Sequence, residues 1–172
     1  MTTNYTDSGL TAQLAIVRER PDNLSAWDDL EALAAEKGVD LRFLTDQVSA
    51  SPSENGGACI TLEDLYSVAN FVTFPSLYEG FGNALLEAIY FKKPLLVNRY
   101  SVFKDDIEGC GFDLVVMDGA VTDEAVEQVR KILEMPDSFL NSAESNFKIA
   151  ANYFGYRTLE KRMREMLVQE GR

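Results

Sequence analysis

The run Thr73-Phe74-Pro75-Ser76-Leu77-Tyr78-Glu79-Gly80-Phe81-Gly82-Asn83-Ala84-Leu85-Leu86-Glu87-Ala88 decides the fold. An apolar strand ends at Pro75, a tight loop sets two glycines around Phe81, and a helix follows at once. Glu79 stands before the helix and Glu87 inside it, with seven residues between them. A strand, a glycine loop and a helix N-terminus form a site for anions. The first helical N–H groups have no internal partner, and the helix dipole is positive there. Carboxylates do not hold phosphate; they accept hydrogen bonds from hydroxyls. Phosphate donors beside hydroxyl acceptors describe a pocket for a sugar nucleotide.

Working outward, strands alternate with helices. Strands are expected at 14–17, 39–44, 70–74, 94–98 and 113–117. Helices are expected at 24–37, ended by Gly38, and at 62–69, preceded by a cap at Thr61. Further helices are expected at 83–91, at 123–135 behind a Thr122 cap, at 137–153 and at 156–169. The stretch 46–58 holds Ser, Pro, Asn and a Gly-Gly pair and is expected as a loop. Such alternation predicts an α/β fold, a mainly parallel sheet covered by helices on both faces. Residues 1–9 are polar and expected to fray. Residues 10–172 form one predicted domain, with 137–169 as its C-terminal helices. In parallel sheets, ligands bind at the carboxyl ends of the strands. The loop from Glu79 to Asn83, the 46–58 loop and Arg99-Tyr100-Ser101 all lie at such ends.

Composition narrows the chemistry. The 172 residues carry a net charge of −12, which opposes binding to nucleic acid or anionic lipid. No histidine is present, so a Ser-His-Asp triad is excluded. Cys59 and Cys110 are far apart and lack metal-ligand spacing, which suits free thiols in a reducing, cytoplasmic setting. No stretch is long and apolar enough to span a membrane.

The run from Pro75-Ser76 through Glu79-Gly80-Phe81-Gly82 to Glu87-Ala88, with Lys93-Pro94 after it, resembles the E-x7-E signature of family-four retaining glycosyltransferases. The strong part of the resemblance covers Leu62 to Asn98. It implies the C-terminal domain of a GT-B fold, a three-layer α/β/α Rossmann-like domain that binds the sugar-nucleotide donor. Glu79 would then contact the donor hexose near the reacting carbon. Gly80, Phe81, Gly82, Asn83 and Ala84 would supply donors to sugar and diphosphate, and Glu87 would accept from the ribose hydroxyls. Thr45, Asp46 and Val48 are candidates for the base site. The family retains stereochemistry by a same-face attack assisted by the leaving phosphate. No cofactor and no obligatory metal are implied; the partners are a nucleotide-sugar donor and an unidentified acceptor.

Residue by residue, other roles stay open. Glu79 can compensate the helix dipole. Glu87 stands on a helix that is apolar nearly all round, so it is expected to be buried and aimed at the ligand rim, or else ion-paired with Arg99 or Lys92. Phe81 can be a core aromatic or a ligand contact.

The family's opening strand and glycine turn carry an arginine and a lysine that neutralise the diphosphate. Residues 1–20 show no match, and Arg18 and Arg20 follow the wrong strand. Either Leu10 to Val17 fills the place of that opening, central strand, or an N-terminal domain or partner chain is missing; negligible turnover is expected from this chain alone. Donor affinity should be weak, on the order of millimolar. A non-catalytic binding or assembly module descended from a transferase is the alternative. A dinucleotide-binding oxidoreductase fits poorly, because Leu85 stands where the third glycine belongs and Asn98 where a ribose-binding acid belongs.

Overall fold

The computed structural model describes residues 13–16, 25–44, 47–49 and 60–170. The chain divides into two compact units, Met1–Leu65 and Tyr66–Arg172, where the sequence pattern suggests one domain over 10–172. Expectations for residues 1–9, Arg18, Arg20, Cys59 and most of the 46–58 loop lie outside the described residues.

In the first unit, β1 (Gln13–Ile16) and β2 (Asp40–Phe43) pair in parallel, with Gln13 opposite Asp40 and Ile16 opposite Phe43. Parallel neighbours need a crossover, and α1 (Ser25–Lys37) lies between them in sequence. Gly38 follows α1 at φ +68, the left-handed backbone that glycine adopts most cheaply. The Val39 N–H then donates to the Ala34 carbonyl at 2.9 Å, which closes the helix as a Schellman stop. β3 (Val48–Ser49) and β4 (Ile60–Thr61) form a second parallel pair. Val48–Ser49 falls inside the expected loop. Two residues are too few to show a period of two.

The next helix, α2 (Leu62–Val68), opens with a reciprocal cap. The Asp64 N–H donates to Thr61 Oγ1 at 3.2 Å, and the Thr61 N–H donates to Asp64 Oδ2 at 2.9 Å. Two orphan amides are satisfied at once.

In the second unit, β5 (Val72–Phe74), β6 (Leu95–Asn98) and β7 (Val115–Met117) lie in the order β5-β6-β7. Every pairing is parallel, with Val72 opposite Leu95 and Leu96 opposite Val115. All four residues of β6 are buried. Leu95 and Val97 join Leu85, Ala88, Ile89, Phe103 and Ile107 in one cluster. Leu96 joins Val115, Met117 and Ala125 in another. Each face of β6 therefore has its own apolar cover. Helix α3 (Asn83–Tyr90) contributes to one face, and α4 (Asp123–Glu134) to the other. Three layers result, α/β/α, and the Rossmann-like fold expected from the sequence is present.

Five expected strands are all found, the first shifted by one residue to 13–16 and the other four each shortened by a residue or more. One helical segment was not expected. Between β6 and β7 the chain forms a π-turn, Phe103–Ile107, and a 3₁₀-turn, Glu108–Cys110. Only Phe103 and Ile107 are buried there, four residues apart around exposed Lys104, Asp105 and Asp106. A single apolar pair is too short a pattern to announce a helix.

Thr122 caps α4 as expected, its Oγ1 accepting from the Ala125 N–H at 3.2 Å. After a 3₁₀-turn at Pro136–Phe139 come α5 (Leu140–Phe154) and α6 (Tyr156–Glu170). Gly155 separates them, and a Cβ there would collide with the Ala151 carbonyl oxygen.

Helix α5 is tied to the strand before it by one buried amide. Asn146 Oδ1 accepts from the Asp113 N–H at 2.8 Å, and its Nδ2 donates to the Asp113 carbonyl at 2.8 Å. Asn146→Leu keeps the branched skeleton of the side chain and strands both backbone groups. It should lower unfolding free energy by about 1–3 kcal/mol, measured by urea titration.

Candidate glycosyl-donor site

The chain leaves β5 at Phe74 and runs through residues 75–82 into α3. Gly82 caps the helix with φ +92 and ψ 57, and its carbonyl accepts from the Leu85 N–H at 3.0 Å. Among the described residues no side chain caps α3, and its first turn holds no acid. Its leading amides are thus left to an external acceptor, and the dipole favours an anion there.

Tyr100 explains why position 82 is glycine. Its ring is buried with Phe103 and Phe74, at centroid distances of 5.9 and 6.2 Å. Its hydroxyl donates to the Phe81 carbonyl at 2.9 Å. A Cβ on Gly82 would run into that same hydroxyl. Gly80 differs: a Cβ there meets open space, and its φ is not left-handed.

Asn98 closes β6 and is 3% exposed. Its Nδ2 donates to the Ser76 carbonyl at 3.0 Å, and its Oδ1 accepts from the Gly119 N–H at 2.8 Å. The carboxyl ends of all three strands in this unit are therefore joined by one amide.

Glu79 is half-buried on the loop, and Asn83 is exposed at the start of α3. Ala84 is half-buried. Phe81 is 37% exposed and meets Phe154 edge to face at 5.3 Å, so its ring is neither core nor free. Thr45 and Asp46 lie outside the described residues. Val48 is half-buried in β3 of the first unit.

The expected burial of Glu87 is not found. Helix α3 buries Leu85, Ala88 and Ile89 and leaves Asn83, Glu87 and Tyr90 outward. Three buried positions form one stripe, so the helix is amphipathic despite its apolar composition. Nor is Glu87 ion-paired with Arg99 or Lys92. Arg99 pairs with Glu108 at 2.9 Å and Asp118 at 3.7 Å, and Lys92 pairs with Glu144 at 2.6 Å. Among the described residues, neither Glu79 nor Glu87 makes an ion pair.

The partner of Glu87 is Tyr66, which the sequence reading does not single out. The Tyr66 hydroxyl lies 3.3 Å from both Glu87 Oε2 and the Ala84 carbonyl, and its ring stacks on Phe91 at 5.1 Å. Burial first, then the Glu87 charge and hydrogen bond, push the Tyr66 phenol up to about 12. Burial, with Glu79 second, also raises Tyr100. Both phenols are therefore neutral donors across ordinary pH.

Residues 57–151 match the family described as glycosyl transferases group 1. The chain belongs to that family. Two curated relatives are mannosylglucosylglycerate synthases. The one from Thermotoga maritima is 35% identical over 145 residues, covering 77% of this chain and 32% of the relative. The one from Petrotoga mobilis is 39% identical over 89 residues, covering 50% of this chain and 20% of the relative. The chain thus spans a third or less of the curated relatives' length. The crystal structure of WaaG, a glycosyltransferase involved in lipopolysaccharide biosynthesis, superposes with a TM-score of 0.55 at 23% identity. That match covers 78% of this chain and 34% of WaaG, and it supports the GT-B type of fold. No helix among the described residues of this group 1 glycosyl transferase is long and apolar enough to cross a membrane.

Two measurements follow from this geometry. Gly82→Ala should cost about 1–3 kcal/mol in unfolding free energy, from positive φ and the clash with Tyr100. Gly80→Ala should stay within about 0.5 kcal/mol; chemical denaturation of both variants checks the contrast. Second, an unfolded tyrosine titrates near 10, whereas Tyr66 holds its proton to about 12. Between those values the unfolded chain binds fewer protons than the folded one. Stability therefore falls as pH rises through that window, and Tyr66→Phe should make denaturation midpoints fall less steeply there.

Proposed function

We propose that this chain is the donor-binding part of a retaining hexosyltransferase, which moves a hexose from a nucleoside diphosphate to a hydroxyl acceptor. The observation that carries the reading is the uncapped N-terminus of α3 behind a glycine loop, flanked by two carboxylates without cationic partners among the described residues. Membership of the group 1 family supports the same chemistry. In this reading the amides of residues 80–84 hold the diphosphate. Glu87 accepts from the ribose hydroxyls with Oε1, while Tyr66 steadies Oε2. Glu79 accepts from the hexose hydroxyls beside the reacting carbon. Hydrogen bonds and the helix dipole hold the donor, with no obligatory metal. The acceptor and the remaining site belong to a further domain or partner chain. A mannosyl nucleotide is the first donor to test, because the curated relatives are named for mannosylglucosylglycerate.

Calorimetric titration with uridine, guanosine and adenosine diphosphates tests the reading. At least one should bind. Glu87→Gln should weaken it by about 1.5 kcal/mol, the low end for a bond to a charged group, since Glu87 is exposed. Glu79→Gln should leave the diphosphate alone unchanged and weaken only the nucleotide sugar. Equal affinity of wild type and Glu87→Gln would make Glu87 structural.

A further inference from the structure

We infer that Asn98 and Tyr100 are positioning residues that clamp the glycine loop at both ends. This rests on the donor-site reading above and names what sets that site's shape.

Ahead of Phe81, whose ring meets Phe154, the loop has little packing of its own. Leu77 is 73% exposed and Tyr78 85% exposed, so neither anchors it in a core. That stretch is held by hydrogen bonds to its backbone. Two are made by side chains from the end of β6. Asn98 holds the Ser76 carbonyl at the loop's start, and Tyr100 holds the Phe81 carbonyl at its finish. Glu79 and Gly80 hang between those two points.

Both clamping residues are themselves fixed. Tyr100 is 2% exposed and wedged against Phe74 and Phe103. Asn98 is 3% exposed, and its other end takes the Gly119 N–H. A buried amide or hydroxyl that lost its partner would be costly, so each bond is made rather than optional. The Tyr100 hydroxyl also fills the space in front of Gly82. It thereby sets how closely the chain can turn into α3, and so where the first amides of that helix point. Amide direction matters to a diphosphate because hydrogen bonds weaken steeply with angle.

Tyr100→Phe removes one donor and keeps the ring. In the 172-residue chain, backbone order parameters over residues 77–84, read by nitrogen-15 relaxation, should fall toward flexible values, with β5, β6 and β7 unchanged. Asn98→Ser should lower them first around Ser76 and Leu77. Uridine, guanosine and adenosine monophosphates and diphosphates are then titrated. For whichever nucleoside binds, Tyr100→Phe should weaken the diphosphate about five- to tenfold and the monophosphate less than about twofold. Unchanged order parameters overturn the clamp. Lowered order parameters with unchanged diphosphate affinity overturn its positioning role. If wild type binds none of the six, the donor-site reading fails, and the order parameters alone decide the clamp.

Discussion

The structure of the second unit depends on one constraint: β6 is buried on both faces. A parallel strand in that position must be apolar along its length, and Leu95-Leu96-Val97 meets the demand. At its carboxyl end the strand closes on Asn98, a polar side chain that is itself buried. It serves a carbonyl on one side and an amide on the other. Order in the loops beyond β5 and β7 is therefore a consequence of how the central strand ends. Helix α3 uses the same strand as its floor, through Leu85, Ala88 and Ile89.

Much of the fold was legible because its signals are local. Gly38 stops α1, Thr61 starts α2 and Thr122 starts α4, each through contacts within about five residues. The strands showed as apolar runs of the right length between such punctuation. Two things failed for a shared reason. Composition said that the 83–91 helix was apolar all round, yet burial follows position, and Glu87 and Tyr90 point out. The segment 103–110 carries only Phe103 and Ile107 as buried anchors, and its π and 3₁₀ turns have no single period to detect.

The site divides along the same line. The glycine loop and the two glutamates sit within a few residues of each other, so their pattern could be read directly. The groups that hold them could not. Tyr66 meets Glu87 across 21 residues, and Tyr100 meets Phe81 across 19. Nothing in the neighbourhood of either tyrosine announces its partner. Asn98 left a trace, a lone polar residue closing an apolar run, but that trace does not say what it binds. Arg99 and Lys92 mislead for the converse reason. They are close to Glu87 in sequence, and the fold gives them other acids.

The clamp on the loop is made wholly of uncharged groups: an amide, a phenol and backbone carbonyls. Dissolved ions screen charges over about 8–10 Å and leave neutral hydrogen bonds nearly untouched. Whatever the loop holds by electrostatic attraction will loosen as ionic strength rises, while the loop itself keeps its shape. Shape and attraction at this site therefore answer to different solution variables. An acidic chain of net charge −12 gains from that separation. Salt masks its own repulsion toward an anionic ligand without dissolving the cradle that receives it.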